Sequence, residues 1–389
     1  MRDVVIVEAV RTPLGKGNPK NGALRDVHPL HLSAHVLREV VDRARLDPAL
    51  VDDVVWGCVM QTGEQSINVG RQAVLLAGFP IEVPATTVDR QCGSSQQALH
   101  FAANLIACGV CDITIAGGVE SMSRVPMGST VLQGPGTPFP PELLERYNLI
   151  DQGSGCELLA AEYGIGRQEA DELAVESHRR AALAQAEGRF DREIAPYVVG
   201  ENGEGVVVSQ DQGIRPGTTL EALAGLPLAF KPQGGILHAG NSSQITDGAA
   251  ALLLMAREKA EELGLRPRAR IRAQAAVGVD PVTMLKGPIP ATTKVLARAG
   301  LTLGDVDRVE INEAFAPVVL AWAREHRPDL GRVNVNGGAI ALGHPLGASG
   351  ARLMTTLLHE LERSDTQIGL QTMCCGGGIG TATVIDRAV

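Results

Sequence analysis

The stretches "RARLDPALVDDVVWG" (residues 43–57) and "RAGLTLGDVDRVEIN" (298–312) follow one pattern. Leu46 lies over Leu301, Val51 over Val306, Asp52 over Asp307 and Val54 over Val309, at a constant offset of 255 residues. The same offset lays "DITIAGG" from Asp112 over "QIGLQTM" from Gln367, both short β-rich runs of the kind buried in a central sheet. Two segments in one register mark an internal repeat, and a repeat decides the architecture before any single element does.

Outward from these anchors, each half alternates strand and helix. The first reads as a strand near Val4, a helix over 29–45, a strand at Val54, a helix after Asn68, a strand at Thr86, a helix over 92–109 and a strand at Ile113. The second reads as a strand near Arg270, a helix from Ala291, a strand at Arg308, a helix from Ala314, a strand at Val333, a helix from Gly347, and strands at Ile368 and Thr381. Alternating β and α predicts helices on both faces of mostly parallel sheets, in two halves related by pseudo-twofold symmetry. The expected division is a first half over 1–118, to which an apolar strand within 246–270 returns, and a second half over 271–389. Between them, 119–245 breaks the pattern with loops "LQGPGTPFPP" and "QGGILHAGNSSQ" around a polar helix over 168–187, and is expected to be an inserted lid.

Composition narrows the function. A chain of 389 residues exceeds the roughly 250–300 at which a single core stops growing. Aromatic residues make up only 3%, against base-stacking platforms, and a net charge of −9 gives no basic footprint for nucleic acid or anionic lipid. The apolar run from Ala249 is far shorter than the ~20 residues that span a bilayer. No charged-then-apolar leader precedes "VVIVEA", so the expected location is the cytoplasm. Seven cysteines, an odd number, suggest reduced thiols. Cys108 and Cys111 form a C-x-x-C, but no second pair completes a zinc set, and no metal is expected.

Four glycine-flanked segments carry the candidate chemistry: "DRQCGSS" (89–95), "INEAFA" (311–316), "NVNGGAIALGHPLGASG" (334–350) and "MCCGGGIG" (373–380). All fall near the carboxyl ends of expected strands, where open α/β sheets bind ligands. Cys92 precedes a helix whose free amides favour a thiolate, although cysteine is equally a small apolar filler. His344 is the one histidine in a Gly/Pro-rich loop, a setting that holds a base without crowding it; loop histidines are also often merely solvated. The glycines after Cys374 and Cys375 suit either an oxyanion hole or a phosphate turn. His28, His31 and His35 read as a surface cluster.

Taken together, "VDRQCGSSQQAL", "AGGVESMSR", "GNSSQITDGAA", "INEAFA", "NVNGGAIALGHPLGASGAR" and "MCCGGGIG" resemble the thiolase family of acyl-CoA acetyltransferases over nearly the whole chain. The resemblance implies a five-layer α/β/α/β/α core of two halves with a loop domain over coenzyme A. It implies Cys92 as the acylated nucleophile, His344 as its base and Cys374 as the thiol that moves the α-proton of the acetyl group. Asn312 would hold a water that completes one oxyanion hole with His344, the amides of Cys92 and Gly376 would form the other, and Glu313 would support this network. For CoA, a co-substrate and not a resident cofactor, Arg215 corresponds to the adenine and phosphate end, and Ala239, Ser243, Ala314 and Phe315 to the pantetheine channel. Homodimers or homotetramers are implied. At "IDQGSGCE" Asp151, Gln152 and Gly153 replace the His-Met-Gly of short-chain biosynthetic members, and "AWAREHRPDL" is more like the branch that shortens bulky or sterol-derived chains. The expectation is a degradative 3-ketoacyl-CoA thiolase. The alternatives are an acetoacetyl-CoA-forming enzyme or a non-catalytic acyl-CoA carrier.

Overall fold

The computed structural model describes residues 2–132, 135–201 and 204–388. In chain order the elements that frame the site begin with β1 (Val4–Arg11), α1 (Pro29–Ala44), β2 (Asp53–Gly57), α2 (Val69–Ala77), β3 (Ala85–Val88), α3 (Ser94–Ala107) and β4 (Ile113–Ser121). The intervening segment carries α4 (Gln152–Glu162) and α5 (Arg167–Ala186). The chain then returns through β5 (Thr246–Ala256), β6 (Ala269–Gly278), α6 (Pro288–Ala299), β7 (Arg308–Ile311), α7 (Ala316–His326), α8 (Ser349–Arg363), β8 (Ile368–Cys375) and β9 (Ile379–Asp386).

The strands follow one hydrogen-bonded path, β7-β8-β9-β6-β1-β5-β4-β2-β3. Its middle is thin: β1 and β6 share only Val5↔Arg270 and Ile6↔Ala269. The two repeats therefore form half-sheets joined at an antiparallel seam. β5, every residue of which is buried, pairs with both β1 and β4 and belongs to the first half-sheet. Helices α1 and α2 cover the outer face of that half-sheet, α6 and α7 the outer face of the second, and α3 and α8 lie between the two. This is a five-layer α/β/α/β/α arrangement.

The repeat has a physical counterpart. Asp52 Oδ2 accepts from the amides of Asp112 (2.7 Å) and Ile113 (2.9 Å), and Asp307 Oδ2 accepts from those of Gln367 (2.9 Å) and Ile368 (2.8 Å). One carboxylate in each half thus pins the start of a parallel partner strand, β4 to β2 in the first and β8 to β7 in the second. The shared middle layer is possible because its helices are small-faced. Ala98, Ala102 and Ala103 of α3 and Ala351 of α8 are buried, and a Cβ on Gly350 would lie 2.3 Å from the Gln96 amide nitrogen. Polar residues trapped in the layer are satisfied across it: Gln96 Nε2 donates to Thr383 Oγ1 (2.8 Å) and Gln371 Nε2 to the Gly350 carbonyl (2.7 Å).

The sheets are not mostly parallel as the alternation predicts: among the described residues only the β7–β8, β2–β3 and β2–β4 strand pairs are parallel, because β5 and β9 return antiparallel beside their neighbours and β1 and β6 meet antiparallel at the seam. Three local expectations also need correction. Val333 forms one isolated parallel bridge to Val309 and no strand, because a 3-10 turn (Leu330–Arg332) ends just before it and Asn334 takes a left-handed φ of 45° just after it. Helix α7 starts at Ala316, not Ala314, because residues 314–316 are drawn onto the 241–243 loop through Ser243 N to Ala314 O (2.9 Å) and Ala316 N to Asn241 O (3.0 Å). His28 does not simply sit in a surface group: its Nδ1 accepts from the Leu30 amide (3.2 Å) and caps α1. Within "LQGPGTPFPP", residues 133–134 lie outside the described residues.

Candidate active site

Cys92 stands on a turn that the sequence stabilises from both sides. Gln91 takes a left-handed φ of 49°, its amide held by Asp89 Oδ1 at 2.7 Å. Ser94 Oγ donates to the Gln91 carbonyl (2.6 Å) and accepts from the Arg90 amide (3.0 Å). Gly93 is required by close approach: a Cβ there would lie 2.6 Å from Cys375 Sγ. The Cys92 sulfur is buried, and the Gly376 amide and the Gln152 side-chain amide are the neighbouring donors that draw its thiol down. Burial nevertheless dominates, pushing the thiol up to about 11 against those donors. The free amides of α3 alone do not make a resting thiolate, so the group needs a base at neutral pH.

His344 has the protonation state and setting that such a base would need. Gly343, at φ 112°, brings it in beside Thr246, whose Oγ1 accepts from the His344 amide (2.9 Å). Ser349 Oγ donates to the Pro345 carbonyl (2.8 Å), so its contact with His344 Nδ1 (2.5 Å) has the imidazole as donor. The proton is thereby placed on Nδ1, and Nε2 carries the lone pair, facing Asn312 Nδ2 at 3.3 Å. Burial, helped by the positive charge of buried Arg352, lowers the imidazole to about 3 and keeps it neutral. Asn312 Oδ1 is buried and has no hydrogen-bond partner among the described residues.

Cys374 ends β8, fully buried, and is raised well above the usual thiol range by burial and then by the neighbouring thiols of Cys92, Cys375 and Cys156. Cys92 shares one buried cluster with Leu346, two residues from His344, and Met373, next to Cys374. The crossing of α3 and α8 holds these parts in register: the Ala351 amide donates to Ser95 Oγ at 2.9 Å, and a Cβ on Gly57 would meet both the Ser95 amide (2.5 Å) and the Gly347 carbonyl (2.7 Å). Two buried neutral sulfurs and an unprotonated imidazole nitrogen converge where the twin halves meet.

Models of the thiolase N-terminal domain match residues 4–258, and those of the thiolase C-terminal domain match 265–387. The chain belongs to the thiolase family. It is 48% identical to the 3-ketoacyl-CoA thiolase of Aeromonas salmonicida over 397 aligned residues, covering 100% of both chains. It is also 48% identical to the steroid 3-ketoacyl-CoA thiolase FadA6 of Mycobacterium tuberculosis, covering 100% of this chain and 95% of that one. The solved acetyl-CoA acetyltransferase of Bacillus anthracis superposes with a TM-score of 0.90 at 41% identity, covering 99% of each chain. This thiolase is thus an acyltransferase that acts on acyl-CoA compounds.

Of the remaining residues singled out in the sequence, Ala239, Ser243, Ala314 and Phe315 lie on one seam between the 238–244 loop and the 314–316 turn, closed by a Ser242↔Phe315 bridge. The loop is held from behind. Glu157 of α4 accepts from the amides of Ile236 and Leu237, and Asp171 of α5 bonds His238 Nε2 (2.7 Å) and Asn241 Nδ2 (2.9 Å). Arg215 is exposed, its amide on His178 Nδ1 at 3.1 Å, and its guanidinium forms no ion pair among the described residues. Gln244 Nε2 links the Gly213 carbonyl (3.0 Å) to that of Ala341 (2.9 Å), so the Arg215 loop and the His344 loop share one staple. Glu313 forms no hydrogen bond with His344 among the described residues. Its carboxylate bonds Ser177, Asn334 and the Ile340 amide, fixing the loop ahead of the base.

Sequence reading missed the roles of Ser349, Gln152 and Glu120. Glu120 accepts from the amides of Val59, Met60 and Gly347 and so ties the β2 loop to the His344 loop. It stood inside "AGGVESMSR", and a glutamate in an otherwise apolar strand was the available signal.

Proposed function

We propose that this thiolase cleaves 3-ketoacyl-CoA with CoA to give acetyl-CoA and an acyl-CoA shortened by that fragment. Support comes above all from the fixed tautomer of His344, which leaves Nε2 free to take the Cys92 proton. Cys92 Sγ, having passed its proton to Nε2, bonds to the C3 ketone carbon. The oxyanion is received by the amides of Cys92 and Gly376, each such donor contributing roughly 10²–10³ in rate. Collapse breaks the C2–C3 bond, the electron pair moves to C2 as the enolate of acetyl-CoA, and Cys374 donates its proton there. Asn312 and the now protonated His344 face the enolate oxygen. CoA then gives its thiol proton to the Cys374 thiolate and attacks the acyl group on Cys92, which leaves and regains the proton held by His344. Each protein group ends as it began, Cys92 and His344 by returning the same proton and Cys374 by exchanging its own, now on acetyl-CoA, for that of the CoA thiol; the steps are reversible, so condensation uses the same groups.

Two thiols are needed because a single group cannot hold the acyl fragment and protonate the departing carbanion at once. Of the expected lid over 119–245, residues 119–121 complete β4; the rest acts as the lid over CoA, with Arg215 at its phosphate end and the Ala239, Ser243, Ala314 and Phe315 seam along the pantetheine. The expected setting is a cytoplasmic homo-oligomer. The unpaired edge of β3, next to exposed Leu75, Leu76 and Ile81, supports the oligomer, and light scattering tests it.

The deciding experiment incubates the full chain with a 3-ketoacyl-CoA, with and without CoA, and follows the protein mass. An acyl adduct on Cys92 that CoA discharges is expected. Cys92→Ala should lose cleavage by on the order of 10³-fold or more with its circular dichroism unchanged. Cys374→Ala should still acylate from an acyl-CoA yet fail to exchange the α-protons of acetyl-CoA; undiminished exchange would remove Cys374 from the scheme.

A further inference from the structure

Helix α4 reaches the nucleophile with a side chain that none of the four glycine-flanked segments includes. Its start is rigid: Asp151 caps it, with Oδ1 accepting from the Ser154 amide (2.9 Å) and Oδ2 from Ser154 Oγ (2.6 Å). Its seat is tight on two further sides. A Cβ on Gly153 would lie 2.2 Å from the Phe230 ring, which packs edge-on against Phe315 at 5.9 Å, and a Cβ on Gly155 would lie 2.8 Å from the Val282 carbonyl. Below these glycines Cys156 joins the same buried cluster as Cys374. The glycines that let α4 sit this close leave Gln152 one place to go. Its Nε2 is 2.8 Å from where a Cβ on Gly376 would stand, which sets the amide on the Cys92 side of that glycine as a donor that favours the thiolate.

We propose that Gln152 is a catalytic residue of this thiolase, a side-chain donor to Cys92 Sγ that joins the backbone amides of Cys92 and Gly376 around the nucleophile. The reading rests on Cys92 being the acylated residue. A neutral amide suits this position. It favours the developing thiolate as His344 withdraws the proton, without the fixed charge of a lysine or arginine, which would hold sulfur as a resting anion and weaken its attack. A thioether of equal length fills the same space and donates nothing. The departure at "IDQGSGCE" therefore adds a hydrogen-bond donor to the reacting atom.

The test uses Gln152→Met, matched in size, and Gln152→Glu in the full chain, with iodoacetamide labelling of the Cys92 peptide followed by mass spectrometry across pH. Gln152→Met should move the labelling profile to higher pH, lowering the rate at pH 8 by about three- to tenfold, and should slow first-turnover acylation by a similar factor. Gln152→Glu should slow both further, since an ionised carboxylate beside the sulfur opposes the thiolate. Profiles for Gln152→Met that superpose on the parent's would overturn the proposal. Labelling needs no turnover, so a shifted profile in a protein that cleaves no 3-ketoacyl-CoA would uphold the Gln152 contact while sinking the thiolytic reading, and the converse result would sink only the Gln152 role.

Discussion

The hydroxyl of Ser349 gives its proton to Pro345 and so decides which nitrogen of His344 is basic. Ser349→Ala removes that constraint and leaves Nδ1–H unpaired in a buried site. Acylation should slow by about ten- to hundredfold, or roughly 1.4–2.7 kcal/mol of barrier, in single-turnover measurements. The ionisation of the pair makes a second prediction. An ordinary histidine base would be lost below pH 6.5, but His344, lowered to about 3, stays in its base form as the pH falls through that range. Acylation by a substrate that does not itself titrate should therefore show no acid limb between pH 7 and pH 5. In the alkaline direction Cys92, raised to about 11, loses its proton only at high pH, and its alkylation should keep rising past pH 9. An acid limb centred near pH 6.5 would show that the imidazole is more hydrated than its burial implies.

At the scale of elements, the site depends on how closely α3 and α8 cross. Gly350→Ala sets two effects against each other. Alanine in a helix gains up to ~1 kcal/mol over glycine, whereas a Cβ placed 2.3 Å from the Gln96 backbone nitrogen cannot be relieved by a rotamer change and costs ~1–3 kcal/mol of overpacking. The clash wins, because the neighbour is backbone. Denaturant midpoints should fall, and acylation should fall with them, since spreading the helices moves Cys92 away from His344. Gly304→Ala, on a turn where the nearest atom is 3.5 Å away, is the control that should change neither. The same scale explains why the paired aspartates were legible in sequence: Asp52 and Asp307 each hold the amides of a strand some 60 residues on, so both ends of the staple recur at one offset.

Across the whole molecule, the halves are bound by their common middle layer and not by the two-residue seam of the sheet. One continuous cluster takes Val4, Ile6 and Leu254 from the first half-sheet, Ala98 and Leu99 from α3, Met354, Leu357 and Leu358 from α8 and Ile385 from β9. Neither half buries its inner face alone. Calorimetry should therefore show the halves unfolding in one transition with matching calorimetric and van't Hoff enthalpies, and a fragment ending at residue 264 should fail to fold because α3 would present that apolar face to water. Two separate transitions would show that each half-sheet carries its own stability.

The amino-acid sequence by itself determined the repeat, the half-sheets and the glycine-marked strand ends that hold Cys92, Asn312, His344 and Cys374, because hydrophobic period and turn chemistry act between near neighbours in the chain. The tertiary structure alone decided the protonation of the thiol and the imidazole, the tautomer that Ser349 selects and the arrival of Gln152. Desolvation and hydrogen bonding at one atom are summed over groups hundreds of residues apart, and only the packed core brings those groups to the same place.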